Sequence, residues 1–559
     1  MDRPLLVNEF EEMGLSISDD ILDECIIICH TYKITASDLV GSWIAYCASS
    51  QIDANDLSKE RLMILVKSFK VDSDNKRKSL ELKSYTNNFT SLSTVHKADS
   101  IKSSTYGTSN IKIENEINIK DIIDGHNIKE EENTISTAGD IACDFGLGNI
   151  NKNSSDNSAD IEEIFLYKQD LFKKFVFGRV DYQKFENHVQ TLVDDIVKNN
   201  NLQPAVPLSE LFCTNDNEIT ISGCLKLIKK ELFLSSSYGS IKLDLSEAGK
   251  LDKSLFANQI LVVTGTNTDS KVFKVRKLYT NASLPLSPKI PKFAQGNMNI
   301  IVAAGPFFSE SSPQGKSLKS LIEKTINLKA KLLVLLGPIF ETDFVTQLNK
   351  SSSETYDELL EFIIQPLFNH PNTRNTKLVI FSSWKDANSY CVYPTPPFTE
   401  SRLPTLYPNN IFIVSDPTIF SANNVLIAGN ASDALMGLHV SGINKIQEET
   451  FEKLSKQIVW QQSLHPSYTA SPTIPVDQFL WLEHCNFEEF TPHIILTTSQ
   501  LRSFIRVVEN TMVINVGQLV KSNSQKKLIS GTYCKIQITP PKDGHWSPKT
   551  NISAQVIHI

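Results

Sequence analysis

Few residues of this chain have the types and spacing that chemistry on a phosphate requires. Gly315, Lys316 and Ser317 follow a predicted strand and open a predicted helix, as in a loop that binds nucleotide phosphates. That motif needs a glycine five positions before Gly315, and the residue there is Glu310. A carboxylate would repel the phosphates that the amides of such a loop attract. We therefore predict an ordinary loop here.

Two other short motifs lack the partners that their chemistry needs. Residues 144–146 spell the Asp-Phe-Gly of protein kinases, but no glycine-rich loop or catalytic loop accompanies them. Cys25, Cys29 and His30 have the residue types of a zinc site, yet no second ligand pair is nearby. Cys25 and Cys29 share one helical stripe, so a buried helix face is the better interpretation.

Length and charge limit the classes of protein that this chain can be. Its 559 residues predict three or four domains. With 55 basic and 63 acidic residues the net charge is −8, which excludes a uniformly basic nucleic-acid coat. The apolar run 332–336 is far too short to span a membrane, and the acidic N-terminal segment is unlike a secretory signal. Nine cysteines without a CxxC pair indicate reduced thiols, in the cytosol or nucleus.

The first part of the chain is predicted to be a helical module on a long tether. Residues 1–71 contain amphipathic stripes, of which Leu22, Cys25, Ile26 and Cys29 form the clearest. Residues 72–160 hold 10 basic and 15 acidic residues, few aromatics and no periodic pattern. Such a segment cannot bury enough apolar surface to fold, so we predict a disordered acidic linker.

A helical lead-in and a small barrel are expected next. Residues 161–204 show helical spacing, and residues 205–290 change to the period of two that strands have. Short strands in this number favour a barrel of the OB type, with a short helix over 246–250. Residues 218–285 carry 10 basic and 6 acidic residues. Candidate contacts to DNA on this barrel are Lys226, Lys229 and Lys230.

Residues 291–559 have the pattern of an α/β domain. Continuous apolar runs alternate with helical stretches such as 317–327 and 354–368, which indicates a sheet that is covered on both faces. The predicted strands are 299–304, 332–336, 378–381, 411–414, 425–428, 494–497, 512–516, 533–538 and 554–559.

This order of elements resembles the calcineurin-like metallophosphoesterases, which hold two metals at strand ends with Asp, Asn and His. The first three strand ends here lack the family's Asp-x-His, Gly-Asp-x-x-Asp and Gly-Asn-His-Asp/Glu, and the late strand lacks its Gly-His-x-His. The residues at these positions are Gly305, Pro306, Gly337, Pro338, Ser383, Trp384, Lys385, Asp386, Ser499 and Arg502. Lys385 and Arg502 would place positive charge where cations should bind. We therefore predict a phosphoesterase-like fold with a vestigial site, which has no metal ligands, no cofactor and no catalytic activity.

A narrower resemblance is to the B, non-catalytic, subunits of DNA polymerase alpha–primase. Residues 390–398 resemble the VYPxPPF signature of that family, and residues 413–417 its FVSxP segment. Residues 499–504 resemble its S-x-L-R-x-F stretch. Residues 513–517 resemble its V-N-P-G turn, with Val516 in place of the proline.

The proline-rich signature has two interpretations that the sequence leaves open. Prolines restrict the backbone, so the segment is stiff and its aromatic residues are ready to contact a partner at little entropic cost. A rigid loop that packs into the core is the alternative. The candidate partner interface consists of Tyr393, Pro394, Pro396, Pro397, Phe398, Asp416 and Leu501.

The resemblance implies a scaffold in the nucleus, not an enzyme. It implies that the barrel and the α/β domain hold the C-terminal domain of the polymerase alpha catalytic subunit, with the primase subunits reached indirectly. The N-terminal module would recruit other replication proteins, and contact with DNA would be weak. Alternatives are the B subunit of polymerase delta or epsilon, a single-strand-binding module, and a divergent metallophosphoesterase that uses Glu341, Asp386 and His465.

Overall fold

The computed structural model describes residues 3, 6–7, 19–32, 39–40, 43, 138–146, 158–167, 182–211, 218–229, 231–237, 239–248, 255–267, 271–293, 296–309, 312–342, 344, 355–398, 401–443, 450–467, 474–522, 528–541 and 545–559. The strands among them are β1 (Ile141–Phe145), β2 (Ile164–Leu166), β3 (Ile219–Ile228), β4 (Glu231–Ser236), β5 (Gly239–Asp244), β6 (Ile260–Asn267), β7 (Val272–Tyr279), β8 (Met298–Ala304), β9 (Leu332–Leu336), β10 (Lys377–Phe381), β11 (Ile411–Val414), β12 (Thr418–Ala422), β13 (Val425–Asn430), β14 (Ile494–Thr497), β15 (Phe504–Val508), β16 (Thr511–Asn515), β17 (Val520–Ser522), β18 (Leu528–Ser530), β19 (Thr532–Ile538) and β20 (Ile552–His558). The helices are α1 (Asp19–Tyr32), α2 (Tyr182–Asn199), α3 (Lys316–Asn327), α4 (Tyr356–Asn369), α5 (Leu403–Leu406), α6 (Ala434–Val440), α7 (Thr450–Trp460), α8 (Gln478–His484) and α9 (Pro548–Asn551). The chain divides into two compact units, 1–127 and 128–559.

Helix α1 belongs to the first unit and buries three of the four residues of the predicted apolar stripe, while Ile26 is half-buried. Leu22, Cys25 and Cys29 are buried on one face, and burial raises the pKa of the Cys25 thiol to about 12. Both cysteines are reduced thiols. Most of the predicted module 1–71 lies outside the described residues.

Strands β3 to β7 form a closed barrel in the order β3-β4-β5-β7-β6. Alternate residues of the strands, among them Leu225, Leu234, Val263 and Phe273, fill its interior. Strand β4 is absent from the sequence prediction, because its run of apolar and serine residues lacks a clear alternation. The predicted helix over 246–250 is wrong in its described part: residues 246–248 form a turn, in which the Ala248 amide donates to the Leu245 carbonyl at 3.0 Å.

Two sheets form the α/β part of the second unit. The first has seven strands in the order β1-β20-β19-β8-β9-β10-β11, and β8 to β11 are parallel. The second has six strands in the order β15-β16-β14-β13-β12-β2, with β13, β14 and β16 parallel. Every predicted α/β strand is present within two residues of its predicted ends. The antiparallel strands β12 and β15 were not predicted, because the polar residues Ser421 and Arg506 interrupt their short apolar runs.

The two sheets pack face to face, and helices cover their outer faces. Val334 and Phe381 of the first sheet meet Ile427 and Leu496 of the second in one apolar core. Helices α3 and α4 cover the other face of the seven-stranded sheet, whereas α6 and α7 cover that of the six-stranded sheet. The strand runs are therefore apolar at consecutive positions, as a doubly covered sheet requires.

Three glutamines around the end of α7 join the barrel to this sandwich. Gln461 accepts from the Ile260 amide and donates to the Ile260 and Thr280 carbonyls, at 3.0, 3.0 and 3.2 Å. Gln457 and Gln259 form a buried side-chain hydrogen bond of 2.6 Å. These hydrogen bonds fix the position of the barrel on the sandwich, because a shift of one against the other would leave the buried side-chain amides without partners.

Two predicted boundaries are corrected by the strands β1 and β2. The disordered linker 72–160 includes β1, which pairs with β20 at the edge of the seven-stranded sheet. The helical lead-in 161–204 includes β2, which pairs with β12, and α2 is its helix among the described residues; residues 168–181 lie outside them. A short edge strand needs backbone pairing and no long apolar pattern, which is why periodicity missed both. The predicted domain 291–559 therefore lacks two strands of its own sheets.

No helix of the described residues is both long and apolar enough to span a membrane.

Candidate functional site

The vestigial site predicted from the sequence lies at the carboxyl ends of β8, β9 and β10. Ligands of open α/β sheets bind at this edge. Gly305 and Pro306 follow β8, Gly337 and Pro338 follow β9, and residues 383–386 follow β10. Because the three strands are adjacent and parallel, the structure brings these segments together.

The turns after β8 and β9 are in direct backbone contact. The Gly305 amide donates to the Leu336 carbonyl at 2.8 Å, and the Phe308 amide donates to the Ile339 carbonyl at 2.9 Å. A Cβ atom on Gly305 would lie 1.9 Å from the carbonyl oxygen of Pro338. Only glycine permits this approach, and no metal-binding side chain can replace it without separating the turns.

Asp386 is the one carboxylate of the predicted strand-end set, and it binds backbone. Its Oδ1 accepts hydrogen bonds from the amides of Ile339 and Phe340, at 2.6 and 2.8 Å. The side chain is buried. Burial raises the pKa of this carboxyl to about 8, the two amides oppose the rise, and nearby Asp416 adds to it. Asp386 therefore holds the turn after β9 in place, mostly as a neutral acid at pH 7.

The residues present do not fit a two-metal site. Glu341 lies beside Asp386 through a backbone bridge, but His465 is buried with its ring against Tyr393, at 5.2 Å between centroids. Burial lowers the pKa of His465 to about 4. Among the described residues no group of three or more His, Cys, Asp or Glu side chains could hold a metal. Oδ2 of Asp386 lacks a hydrogen-bond partner, but one oxygen cannot clamp a phosphate between two cations.

Lys385 and Arg502 lie on the surface of the protein. Both side chains are exposed, and the Lys385 ammonium lies 5.3 Å from the Trp384 ring centroid. Neither charge is buried between the strand ends. The missing carboxylates, and the contact between the turns, account for the unsuitability of the site for metal.

The loop after β14 is held by one hydrogen bond within the loop and by the side chains of two residues outside it. The Ser499 hydroxyl accepts from the Leu501 amide at 3.2 Å. Asn515 donates to the carbonyls of Leu501 and Arg502, each at 3.1 Å. Asp433 caps α6 and also accepts from the Gln500 amide at 2.9 Å. Sequence reasoning missed Asp433 and Asn515, although an Asp before a helix and an Asn at a strand end are recognisable signals.

The proline-rich signature packs into the chain itself. Tyr393 is completely buried, its amide donates to the Pro475 carbonyl, and its carbonyl accepts from the Asp477 amide, both at 2.8 Å. Its hydroxyl lies 3.4 Å from the Asn430 oxygen. Pro394 and Pro396 are buried as well. Of the two interpretations left open above, the packing loop therefore applies to these three residues.

Asp416 is also wrong as a surface contact. Its Oδ1 accepts from the Ala431 amide at 2.6 Å and its Oδ2 from the Ser432 hydroxyl at 2.8 Å. Its backbone pairs with Thr395 of the signature loop. Complete burial raises the pKa of the Asp416 carboxyl to about 7. Pro397, Phe398 and Leu501 are half-buried and keep some accessible surface.

The barrel lysines are placed on an accessible hairpin. Lys226 and Lys229 are exposed, whereas Lys230 lies outside the described residues. Leu227 and Ile228 between them are 46% and 43% exposed. The hairpin thus presents two cations beside apolar surface.

Two family models match the chain. The model for the B subunit of DNA polymerases alpha and epsilon matches residues 300–506. The model for the N-terminal part of the B subunit of DNA polymerase alpha matches residues 5–69. The first covers β9 to β14 and the vestigial site, and the second covers the N-terminal region that contains α1.

Several relatives are named as the B subunit of DNA polymerase alpha. The Rattus norvegicus protein is 24% identical over 365 residues, which are 64% of this chain and 59% of the relative. The Caenorhabditis elegans protein is 28% identical over 53% of this chain and 50% of its own length. The Saccharomyces cerevisiae protein is 22% identical over 54% of this chain and 49% of its own length. The chain thus spans about half to three-fifths of the length of these relatives.

Among solved structures, a novel archaeal phosphodiesterase is similar with a TM-score of 0.23 and 11% identity, over 47% of this chain and 100% of that chain. This likeness is too low to support a conclusion. The sequence matches agree in two separate regions, and in them the chain is similar to the B subunits of DNA polymerase alpha.

Proposed function

We propose that the chain is a non-catalytic structural and regulatory subunit of DNA polymerase alpha–primase, which binds the C-terminal domain of the catalytic subunit. The observation that carries the proposal is the pair of family matches, at 5–69 and 300–506. The relatives are named as the B subunit of the same polymerase.

The chemistry of the strand ends supports a role without catalysis. Gly305 and Gly337 stand where side-chain ligands would be needed, and Asp386 is engaged with two amides. A hydrolase would have to separate the turns after β8 and β9 to admit substrate and metal. The same turns serve a scaffold well, because they lock the strands of the sheet together.

The buried hydrogen bonds between the barrel and the sandwich support the proposal that the two bind one partner as a single rigid surface. Gln461 and Gln457 are buried where the two meet, and their hydrogen bonds span about 200 residues of sequence. A partner that contacts both parts would find them already fixed, which reduces the entropy cost of binding. The accessible surface of Phe398, Pro397 and Leu501 is the part of the predicted interface that remains available to such a partner.

The remaining features of the proposal extend the sequence prediction. The barrel is of the OB type, with weak DNA contact through Lys226, Lys229 and Lys230. The N-terminal segment is a helical module that recruits other replication proteins on a tether, and the phosphoesterase-like fold is vestigial. Primase is reached through the catalytic subunit, and the complex acts in the nucleus.

Three alternatives are weaker. The B subunit of polymerase epsilon would fit the match at 300–506, but the N-terminal match is to the polymerase alpha family. A single-strand-binding module would need base-stacking aromatics on the barrel, and the exposed apolar residues of its hairpin are the aliphatic Leu227 and Ile228. A divergent metallophosphoesterase would need Glu341, Asp386 and His465 in one cluster.

The test is co-purification of the full chain with a polymerase alpha catalytic subunit that carries its C-terminal domain. We expect a one-to-one complex that persists through size exclusion. Metal analysis of the chain alone, and hydrolysis of bis-p-nitrophenyl phosphate with added Mn²⁺, should both give background values.

Two variants sharpen the outcome. Leu501→Asp with Phe398→Ser should weaken the complex, whereas Phe362→Ser, a change at an exposed position of α4, should not. Absence of a complex together with two equivalents of bound metal would overturn the proposal and favour the phosphoesterase. A complex with an epsilon but not an alpha catalytic subunit would replace it with the sister assignment.

A further inference from the structure

An open groove of about 510 Å³ lies on the outer face of the six-stranded sheet, and Ser415 and Pro417, which follow β11, also line it. Ile419 and Ser421 of β12 line it, and they alternate with Phe420, whose side chain is in the core between the sheets. Phe165 of β2 lies opposite Ser421 and faces the groove. The described helices that cover this face do not close the groove.

Two aromatic side chains give the groove an apolar anchor point. Phe165 is 54% exposed, which is high for a phenylalanine next to a cavity. Tyr167 packs edge-to-face on it, with 4.8 Å between the ring centroids. An incoming bulky side chain would therefore contact a pre-ordered aromatic pair without reorganising the sheet.

Strand β2 is the last strand of its sheet, and no strand among the described residues pairs with its outer edge. The Tyr167 amide donates to the Ile419 carbonyl, and the Glu163 carbonyl accepts from the Asn423 amide. In an antiparallel pair these bonds recur at every second residue, so the N–H and C=O groups of Ile164 and Leu166 point away from β12. These groups form the template that an added strand uses.

The charge around the groove favours a basic partner. Four glutamates line the groove, against two lysines. Glu162 and Glu163 adjoin β2, and Glu488 and Glu489 lie close enough to Tyr167 to raise the pKa of its hydroxyl, after the larger effect of burial. Carboxylates from two segments of the chain thus lie in the groove with the aromatic pair. The lysines, Lys289 and Lys292, lie on the separate segment before β8.

We propose that this groove binds an extended peptide segment of a partner protein, which adds to β2 as a strand and places a bulky apolar side chain on Phe165 with lysine or arginine residues beside it. Every second side chain of a strand faces the same way. The recognised pattern is therefore an apolar residue with a basic residue two positions before it, two positions after it, or both. None of the residues of the predicted vestigial site or of the signature loop 390–398 lines this groove, and the proposal does not depend on the proposed function.

The test uses the full chain and fluorescein-labelled synthetic peptides. The probe has the core Lys-Thr-Phe-Thr-Lys between glycines, and its matched control has Glu in place of both Lys. Fluorescence anisotropy at low salt should show at least tenfold tighter binding of the lysine probe. Methylation of the alternate peptide nitrogens that would pair with β2 should reduce the affinity by a similar factor, because it removes the donors of the added strand.

Variants of the chain locate the site. Phe165→Ser and Glu163→Lys should each weaken the lysine probe at least fivefold, whereas Phe362→Ser, at an even more exposed phenylalanine of α4, should leave it unchanged. The proposal is overturned if the lysine probe does not bind at millimolar concentration, or if the glutamate probe binds equally well. It is also overturned if both variants retain full affinity, since the peptide would then bind elsewhere.

Discussion

Replacing Asp386 by alanine tests the central structural claim about the strand-end site. Its Oδ1 is the acceptor for two adjacent buried amides, those of Ile339 and Phe340. The side chain itself is 3% exposed, so water cannot replace the lost acceptor without entering the core. Alanine therefore leaves both amides unsatisfied next to the turn that contacts Gly305.

The expected cost follows from these contacts. A buried amide that loses its acceptor costs about 1–3 kcal/mol. Two amides would cost about 2–6 kcal/mol, and the removal of a buried carboxyl whose Oδ2 has no partner returns part of this. We expect Asp386→Ala to lower the free energy of unfolding by about 2–4 kcal/mol.

Asp386→Asn is the matched variant, because an amide oxygen can accept the same two hydrogen bonds. It should be at least as stable as the natural chain at pH 7, because its amide has no proton that the unfolded chain would release. It should also change the pH dependence. Between about pH 4 and pH 8 the folded chain keeps the Asp386 proton that the unfolded chain releases. The free energy of unfolding of the natural chain therefore falls as pH rises through this window, and asparagine removes that contribution.

Urea unfolding followed by near-UV circular dichroism measures all three proteins, at pH 5, 6, 7 and 8. The natural chain and Asp386→Asn should converge as pH falls, while Asp386→Ala stays below both. The reasoning is refuted if asparagine is as damaging as alanine at pH 7. That result would mean that the negative charge itself is needed, as it would be for a metal ligand.

Three further changes test other parts of the structure. Gln461→Ala should lower the free energy of unfolding by about 2–4 kcal/mol, because it leaves buried backbone groups of Ile260 and Thr280 without hydrogen-bond partners. Equal urea midpoints for the variant and the natural chain would contradict this. Gly305→Ala should give little folded protein on size exclusion, because its Cβ would overlap a backbone oxygen at 1.9 Å; a normal yield and melting temperature would argue against that contact. The double change Lys226→Glu and Lys229→Glu should reduce the affinity for oligo-dT and flatten its salt dependence; an unchanged salt slope in anisotropy would remove the barrel hairpin from the DNA proposal.

The sequence was most informative where the burial of a single strand or helix sets the order of its apolar and polar residues. The runs 332–336 and 411–414 coincide with β9 and β11, because strands covered on both faces must be apolar at every position. The stripe of Leu22, Cys25 and Cys29 predicted the buried face of α1 for the same local reason. The absence of Asp-x-His and its companion motifs was likewise visible, since a metal site needs named side chains at the strand ends.

Features that depend on distant parts of the chain required the tertiary structure. β1 and β2 are strands only because β20 and β12 offer open edges, and their own residues carry no strand period. Tyr393 and Asp416 fit a surface signature equally well, yet residues 430–432 and 475–477 enclose them. The sequence by itself therefore determined the core strands, the buried face of α1 and the missing metal ligands, through local periodicity and residue type. Packing between segments that are distant along the chain decided the rest: the edge strands β1 and β2, the burial of the signature, and the groove beside β2. No local pattern encodes such packing.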